Sequence, residues 1–255
     1  MHCVSSPAGT PIPSRVLIPL PDADFDVTEV AVPWRLLTRA GHELVFATET
    51  GRDAPAADPL LLSGVIFGQL GAEPEPRAFY DELIETVAFQ QPIAWSEIEP
   101  AHFDALLLPG GHAPGMRQYL GSETLQNKVA SFWQLERPVG AICHGVIVLA
   151  RAKHRETGRS LLRDARTTCL PKFLERSAYW MTAWKLGRYY RTYPAYVEDE
   201  VRAALAHPEQ QFERGPFTLG APGRPAFVVC DGRYVSARWP GDAYLFATEF
   251  MNLLK

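Results

Sequence analysis

Short continuous apolar runs alternate along this chain with longer stretches whose apolar positions recur at helical spacing. Arg15–Leu20 (RVLIPL) predicts a first strand, Asp26–Ala40 a helix ended by Gly41, and Glu43–Thr48 (ELVFAT) a second strand. Strand, helix and strand within that length form a βαβ unit, which requires parallel pairing. Residues 50–76 are rich in Pro, Gly, Ala and Asp and predict an irregular surface excursion, followed by a helix over about Arg77–Phe89. Phe103–Pro109 (FDALLLP) is the apolar run of a central parallel strand, and it ends in the turn Pro109-Gly110-Gly111-His112. Ser122 caps an amphipathic helix that runs to Glu136 and leads into a buried strand, Val139–Ile142. Ala226–Cys230 and Tyr234–Arg238 are β-like and joined by Asp231-Gly232, a hairpin signal, and a helix from about Gly241 to Leu254 follows. No internal repeat is present. The alternation predicts an α/β fold, a doubly wound, flavodoxin-like sandwich on a mostly parallel sheet.

The junction between the Val139–Ile142 strand and the apolar run Val146–Ala150 carries the chemistry. Cys143 sits there in AICHG, with Ala141 two before it and Gly145 two after. This is the A-x-C-x-G form of a nucleophile elbow, a strand-to-helix turn too tight for large flanking side chains. Such a turn aims the sulfur out of the sheet near a helix N-terminus, where partial positive charge favours the thiolate. The competing reading is a buried strand cysteine that happens to precede a helix.

Composition narrows the function classes. With 255 residues there is chain enough for one large domain with a full core. A net charge of −4 argues against a protein that grips nucleic acid by neutralising phosphates. No apolar run has the length of a membrane span. Residues 1–14 are polar and proline-rich and read as a disordered leader, with residues 15–255 as a single domain. The four cysteines, Cys3, Cys143, Cys169 and Cys230, include no C-x-x-C pair, which fits a reduced, cytoplasmic setting. There is no H-E-x-x-H, so the seven histidines read as isolated; no metal and no cofactor is expected.

The segments RVLIPL with DFDVTEVAVPW, AGHELVFAT, DALLLPGGH, RPVGAICHG and DGRYVSARWPGDAYLFA resemble, in this order, the DJ-1/PfpI (ThiJ) superfamily. Histidine directly after the cysteine is similar to its Hsp31/PfpI-like branch. The resemblance implies a class I glutamine amidotransferase-like fold, usually homodimeric, with a cysteine nucleophile at the elbow. The reactions it covers include glutathione-independent glyoxalase III, proposed deglycase, isonitrile hydratase, peptidase and chaperone activities, among which fold alone does not choose.

Glu29 lies just after the first strand, where such a sheet places its ligand crevice. The resemblance implies that it reaches the cysteine sulfur. A contact of this kind helps only if the carboxyl is protonated and donates. Asp26-Val27-Thr28-Glu29 is equally the pattern of a capping box. Gly111 is expected beside the elbow, its N–H and that of His144 forming an oxyanion hole. His144 is the candidate base, although its adjacency to Cys143 demands a twist. The resemblance places a third acidic residue after the elbow helix. Glu175 is the nearest carboxylate there, with Asp164 and Asp242 as substitutes. His112 reads as a polar rim residue, and His207-Pro208-Glu209 as a helix end and loop rather than a triad fragment. Residues 171–206 form a helical, aromatic-rich insertion, in which Lys185, Arg188 and Arg191 are interleaved with aromatics over Tyr179–Tyr196. The choices there are core packing, a lid over the cysteine, or stacking on single-stranded nucleic acid, the last disfavoured by charge. Trp34 and Trp95 read as core or cavity wall. The expectation is a cysteine-dependent enzyme acting on a small electrophile, a glyoxalase III-like lyase or hydrolase of reactive carbonyls. The alternatives are a hydratase or amidohydrolase on a larger aromatic substrate, and a non-enzymatic holding chaperone or oxidation sensor. The partner expected is a small-molecule substrate, with no nucleic acid and no membrane.

Overall fold

A computed structural model describes residues 13–66, 70–191, 193–217 and 225–255. Most of the expected leader lies outside them. In chain order the strands are β1 (Arg15–Pro19), β2 (Ala23–Phe25), β3 (Glu43–Thr48), β4 (Ala56–Ala57), β5 (Ile93–Ala94), β6 (Ala105–Leu108), β7 (Val139–Ile142), β8 (Val228–Asp231) and β9 (Tyr234–Ala237). The helices are α1 (Val27–Arg39), α2 (Pro59–Ser63), α3 (Pro74–Leu83), α4 (Val87–Gln90), α5 (Met116–Gly121), α6 (Glu123–Trp133), α7 (Val146–Arg151), α8 (Lys172–Leu186), α9 (Val197–Ala204), α10 (Pro208–Gln211) and α11 (Ala243–Asn252).

Seven strands form one sheet in the order β5-β3-β1-β6-β7-β9-β8, parallel except for the edge strand β8. Every residue of β6 and β7 is buried, which is why both read as unbroken apolar runs. Helices flank the sheet: α1 packs on α3 and α11, and α7 packs on α6 and α9. The strand order turns around between β1 and β6, because β1 is followed outward by β3 and β5 on one side and by β6, β7 and β9 on the other. A crevice at the carboxyl ends of these central strands is where a doubly wound sheet binds its ligand.

Local chemistry sets most boundaries. Asp26 caps α1, its Oδ1 accepting from the N–H groups of Thr28 (2.8 Å) and Glu29 (3.1 Å). Ser122 caps α6 through the Leu125 N–H. Gly232, at φ +58°, closes the β8–β9 hairpin in antiparallel register. The single helix expected over Arg77–Phe89 is two: α3 begins three residues earlier on Pro74, and α4 begins after Thr86, whose hydroxyl donates to the Leu83 carbonyl and closes α3. The stretch expected to be irregular contains β4, which pairs with β2 as a small second sheet, and α2, which Asp58 caps. The insertion at 171–206 contains α8 and α9.

Candidate active site

Three elements bring the site together at the switch point. Strand β7 delivers Cys143, the turn after β6 delivers Gly110–His112, and α1 delivers Glu29. Cys143 has φ +58°, a left-handed conformation unusual for a residue with a side chain, and opens a single 3-10 turn, Cys143–Gly145, before α7. A Cβ on Gly145 would overlap the Leu108 carbonyl oxygen, so the elbow tolerates glycine alone there. Strained backbone at a sharp strand-to-helix turn is the signature of a nucleophile elbow.

Glu29 is fully buried, and its side chain does not complete the capping box. The Asp26 N–H donates instead to the Gly110 carbonyl (3.0 Å), while the Gly110 N–H donates to Glu29 Oε2 (2.8 Å). That reciprocal tie docks the start of α1 on the β6 turn beside Cys143 and leaves Glu29 Oε1 buried without a hydrogen-bond partner. Burial, then the neighbouring Asp26 carboxylate, holds the Glu29 carboxyl well above the usual range. Asp26 is itself raised to about 6 by burial, against the opposing effect of its two N–H partners. Thiol and carboxyl are thus two buried neighbouring acids, each of which makes ionisation of the other harder.

The thiol departs from expectation. Burial first, then the carboxylates of Glu29 and Asp26, pushes Cys143 well up rather than down. Cys143 is only 4 % exposed, and the elbow helix after it has six residues, too short a dipole to offset desolvation. The His144 N–H, which bonds the sulfur, is the stabilising contact that remains.

The glycine against the elbow is Gly110, one residue before the expected one: a Cβ there would sit 2.7 Å from the His144 nitrogen and 2.9 Å from Cys143 Cβ. Gly111 turns its α-carbon toward Asp24 and Met116, and among the described residues no acceptor pairs with its N–H. The His144 ring does turn back, Nδ1 lying 3.5 Å from Cys143 Sγ. Burial, and then the charges of His112, Arg151 and Arg191, hold it neutral, well below the ordinary histidine range.

His112 is more than a rim residue. Its ring lies 4.9 Å from that of His144 and 5.4 Å from that of Tyr190, and enclosure together with the Arg191 charge brings it to about 4. Of the histidines expected to be isolated, His112 and His144 therefore come together. His112, His144 and Glu175 each bring a ligand atom within 4.8 Å of the others, a grouping no sequence spacing announces. Glu175 is buried, but it accepts from Arg191 (3.0 Å) and from the Val197 N–H (2.9 Å) rather than from His144. Burial raises it to about 7. The Arg191 guanidinium in this cluster argues against a bound cation. Asp164 is exposed, and Asp242 is clamped to Arg238 at 2.8 Å. His207-Pro208-Glu209 starts α10 right after α9, with Glu209 paired to Arg202 on the surface. Trp34 and Trp95 belong to the core, Trp95 Nε1 donating to the Ala47 carbonyl. Cys169, like Cys143, is a buried free thiol. Among the described residues no helix is long and apolar enough to cross a membrane.

The chain is similar to a protein named as a deglycase from Pyrococcus abyssi, 29 % identical over 241 residues that cover 94 % of this chain and 99 % of that protein. Deglycase PfpI of Pyrococcus furiosus is 25 % identical over 232 residues, 91 % of this chain and 95 % of the relative. The crystal structure of glyoxalase III from Candida albicans superposes with a TM-score of 0.69 at 18 % identity, covering 95 % and 98 % of the two chains, a likeness of fold. The family model described as ThiJ/PfpI family-like matches residues 20–216, and with its elbow cysteine, buried glutamate and switch-point site the chain belongs to the ThiJ/PfpI family.

Proposed function

We propose that this protein is a cysteine-dependent enzyme that converts small reactive carbonyls, in the manner of a glutathione-independent glyoxalase. The observation that carries this reading is the burial of Cys143 and Glu29 on either side of Gly110, with Glu29 tied to the Gly110 N–H by one oxygen and its other oxygen left without a partner. The deglycase and glyoxalase III names of similar proteins support it.

A 2-oxoaldehyde suits such a pair. The sulfur adds to the aldehyde carbon while its proton passes to His144 Nδ1 or stays within the pair. The N–H groups of Gly111 and His144 receive the developing oxyanion. Glu29 moves a proton from the aldehyde carbon to the neighbouring carbonyl, so that the first carbon is oxidised as the second is reduced. Water then releases a 2-hydroxy acid and restores the thiol. One water is consumed, and no outside oxidant, reductant or metal is needed. A carboxyl with a raised pKa is suited to such a transfer, because it is a stronger base than an ordinary carboxylate.

The test is turnover of methylglyoxal without glutathione, followed by formation of the 2-hydroxy acid. Cys143→Ser should abolish turnover, and Glu29→Gln should cut it by about 100-fold or more with little change in melting temperature. Persistent turnover in Cys143→Ser would overturn the proposal. A holding-chaperone reading finds its support elsewhere, in Trp180 and Met181 on α8, exposed at 69 % and 50 %. If Trp180→Ser with Met181→Ser abolished suppression of client aggregation while leaving carbonyl turnover intact, that activity would exist beside the enzymatic one.

A further inference from the structure

Cys143 is nearly shut off from solvent, and a series of ring contacts joins it to one side chain of the aromatic insertion. Tyr190 follows α8 and is 4 % exposed. Its ring meets that of His112 at a tilt, His112 meets His144 in the same way, and His144 touches the Cys143 sulfur, an unbroken series of contacts from Tyr190 to the cysteine. Tyr190 packs with Val65 and Ala113 in a small apolar cluster separate from the main core, and Ala113 directly follows the glycine turn of the site. Its hydroxyl donates to Asp58 Oδ2 at 2.9 Å, and the hydroxyl of Tyr189 to Asp58 Oδ1 at 3.1 Å. Asp58 is 1 % exposed and caps α2 through the Leu60 N–H, so both tyrosines are anchored to the body of the protein rather than to the insertion. The two rings meet edge to face at 5.0 Å, which leaves neither free to swing alone. Gly187, at φ +58° with open space where a Cβ would stand, lets the chain turn sharply out of α8 into this segment.

We propose that Tyr190, held by Asp58, is a specificity-determining residue that confines Cys143 to small free carbonyls and excludes bulky or protein-borne ones. The inference rests on Cys143 as the reactive group but not on any particular reaction. A ring fixed at its hydroxyl end behind His112 and His144 is a wall that yields only when a buried hydrogen bond to a carboxylate is broken. Discrimination by such a wall follows substituent size, not substituent polarity.

The experiment compares alkylation of Cys143 by iodoacetamide and by the bulkier N-phenylmaleimide, read by peptide mass spectrometry on the intact folded protein. Tyr190→Ala should raise the maleimide rate by about tenfold or more while moving the iodoacetamide rate by less than about threefold. Asp58→Asn keeps the α2 cap but weakens the anchor, and Tyr190→Phe keeps the ring without the hydroxyl. Both should shift the same ratio by a smaller amount, and they carry the test if Tyr190→Ala does not fold. An unchanged ratio, or an equal rise with both reagents, would overturn the proposal, because general loosening does not select by size. The turnover ratio of phenylglyoxal to methylglyoxal should move in the same direction as the alkylation ratio. If size-selective labelling held but no carbonyl were turned over, the proposed function would fall and the role of Tyr190 would stand.

Discussion

A glutamate three residues into a helix commonly returns to the cap and accepts the N–H that precedes it. Glu29 does not, because the Asp26 N–H is already taken by the Gly110 carbonyl and the Gly110 N–H offers the better-placed donor. One residue of backbone pairing therefore turns a capping glutamate into the partner of a cysteine. Asp26 keeps the cap and gains a different role, as the second carboxyl of a buried acidic pair. Its pKa of about 6 in the folded protein, against 3.8 for the ordinary group, means that the unfolded chain ionises first as pH rises. Its contribution to stability is complete below the lower value and is lost as pH rises through the higher one. Asparagine caps as well as aspartate and carries no charge to bury. The melting temperature of Asp26→Asn relative to wild type should thus climb between about pH 4 and pH 6 and level off above. A difference that stayed flat across that window would show Asp26 ionised throughout.

At the scale of elements, the elbow works by closeness. Strand β7, one 3-10 turn and α7 pass so near the end of β6 that Gly145 lies against the Leu108 and Pro109 carbonyls. Backbone cannot give way as a flexible side chain can. Gly145→Ala should destabilise the fold by about 3 kcal/mol or more, measured by urea denaturation, and displace the sulfur as well. A stable variant with normal turnover would show that the elbow is looser than its geometry indicates. The same tightness explains the thiol. An elbow that buries its cysteine to 4 % exposure gains no thiolate from a six-residue helix, so under the proposed function the thiol proton has to pass to a neighbouring group as the sulfur attacks.

At the scale of the whole molecule, the site is closed by chain that leaves the sheet after α7 and folds back over it. Glu175 on α8 and Arg191 beyond it form an ion pair exposed at 1 % and 11 %, and the Val197 N–H at the start of α9 completes the clamp. Arg191 also lies over the Tyr196 ring at 3.8 Å. Removing one partner of such a pair leaves a buried charge without compensation. Glu175→Ala should therefore cost about 3 kcal/mol or more in stability, with turnover falling through loosening of the Tyr190 segment. A large loss of turnover at unchanged stability would instead assign Glu175 to the orientation of His144. Measuring denaturation and turnover on the same preparation separates the two.

The strands β1, β3, β6 and β7, the caps Asp26 and Ser122, the β8–β9 hairpin and the elbow cysteine follow from the sequence alone, because each depends on neighbours a few residues away. Apolar periodicity, a capping side chain or a glycine in a tight turn acts within one element and leaves its mark in order along the chain. Tertiary structure decided the rest. It made Gly110 rather than Gly111 the glycine against the elbow and turned Glu29 from its helix toward Cys143. It also joined His112 to His144 and gave Glu175 to Arg191 instead of His144. Asp58 and Tyr190, 132 residues apart, meet only when the insertion folds back onto α2. These outcomes turn on which of several donors or charges reaches a group first across the switch point. The deep burial that raises the thiol pKa belongs to the same class, since desolvation is a property of everything packed around an atom and not of its neighbours in sequence.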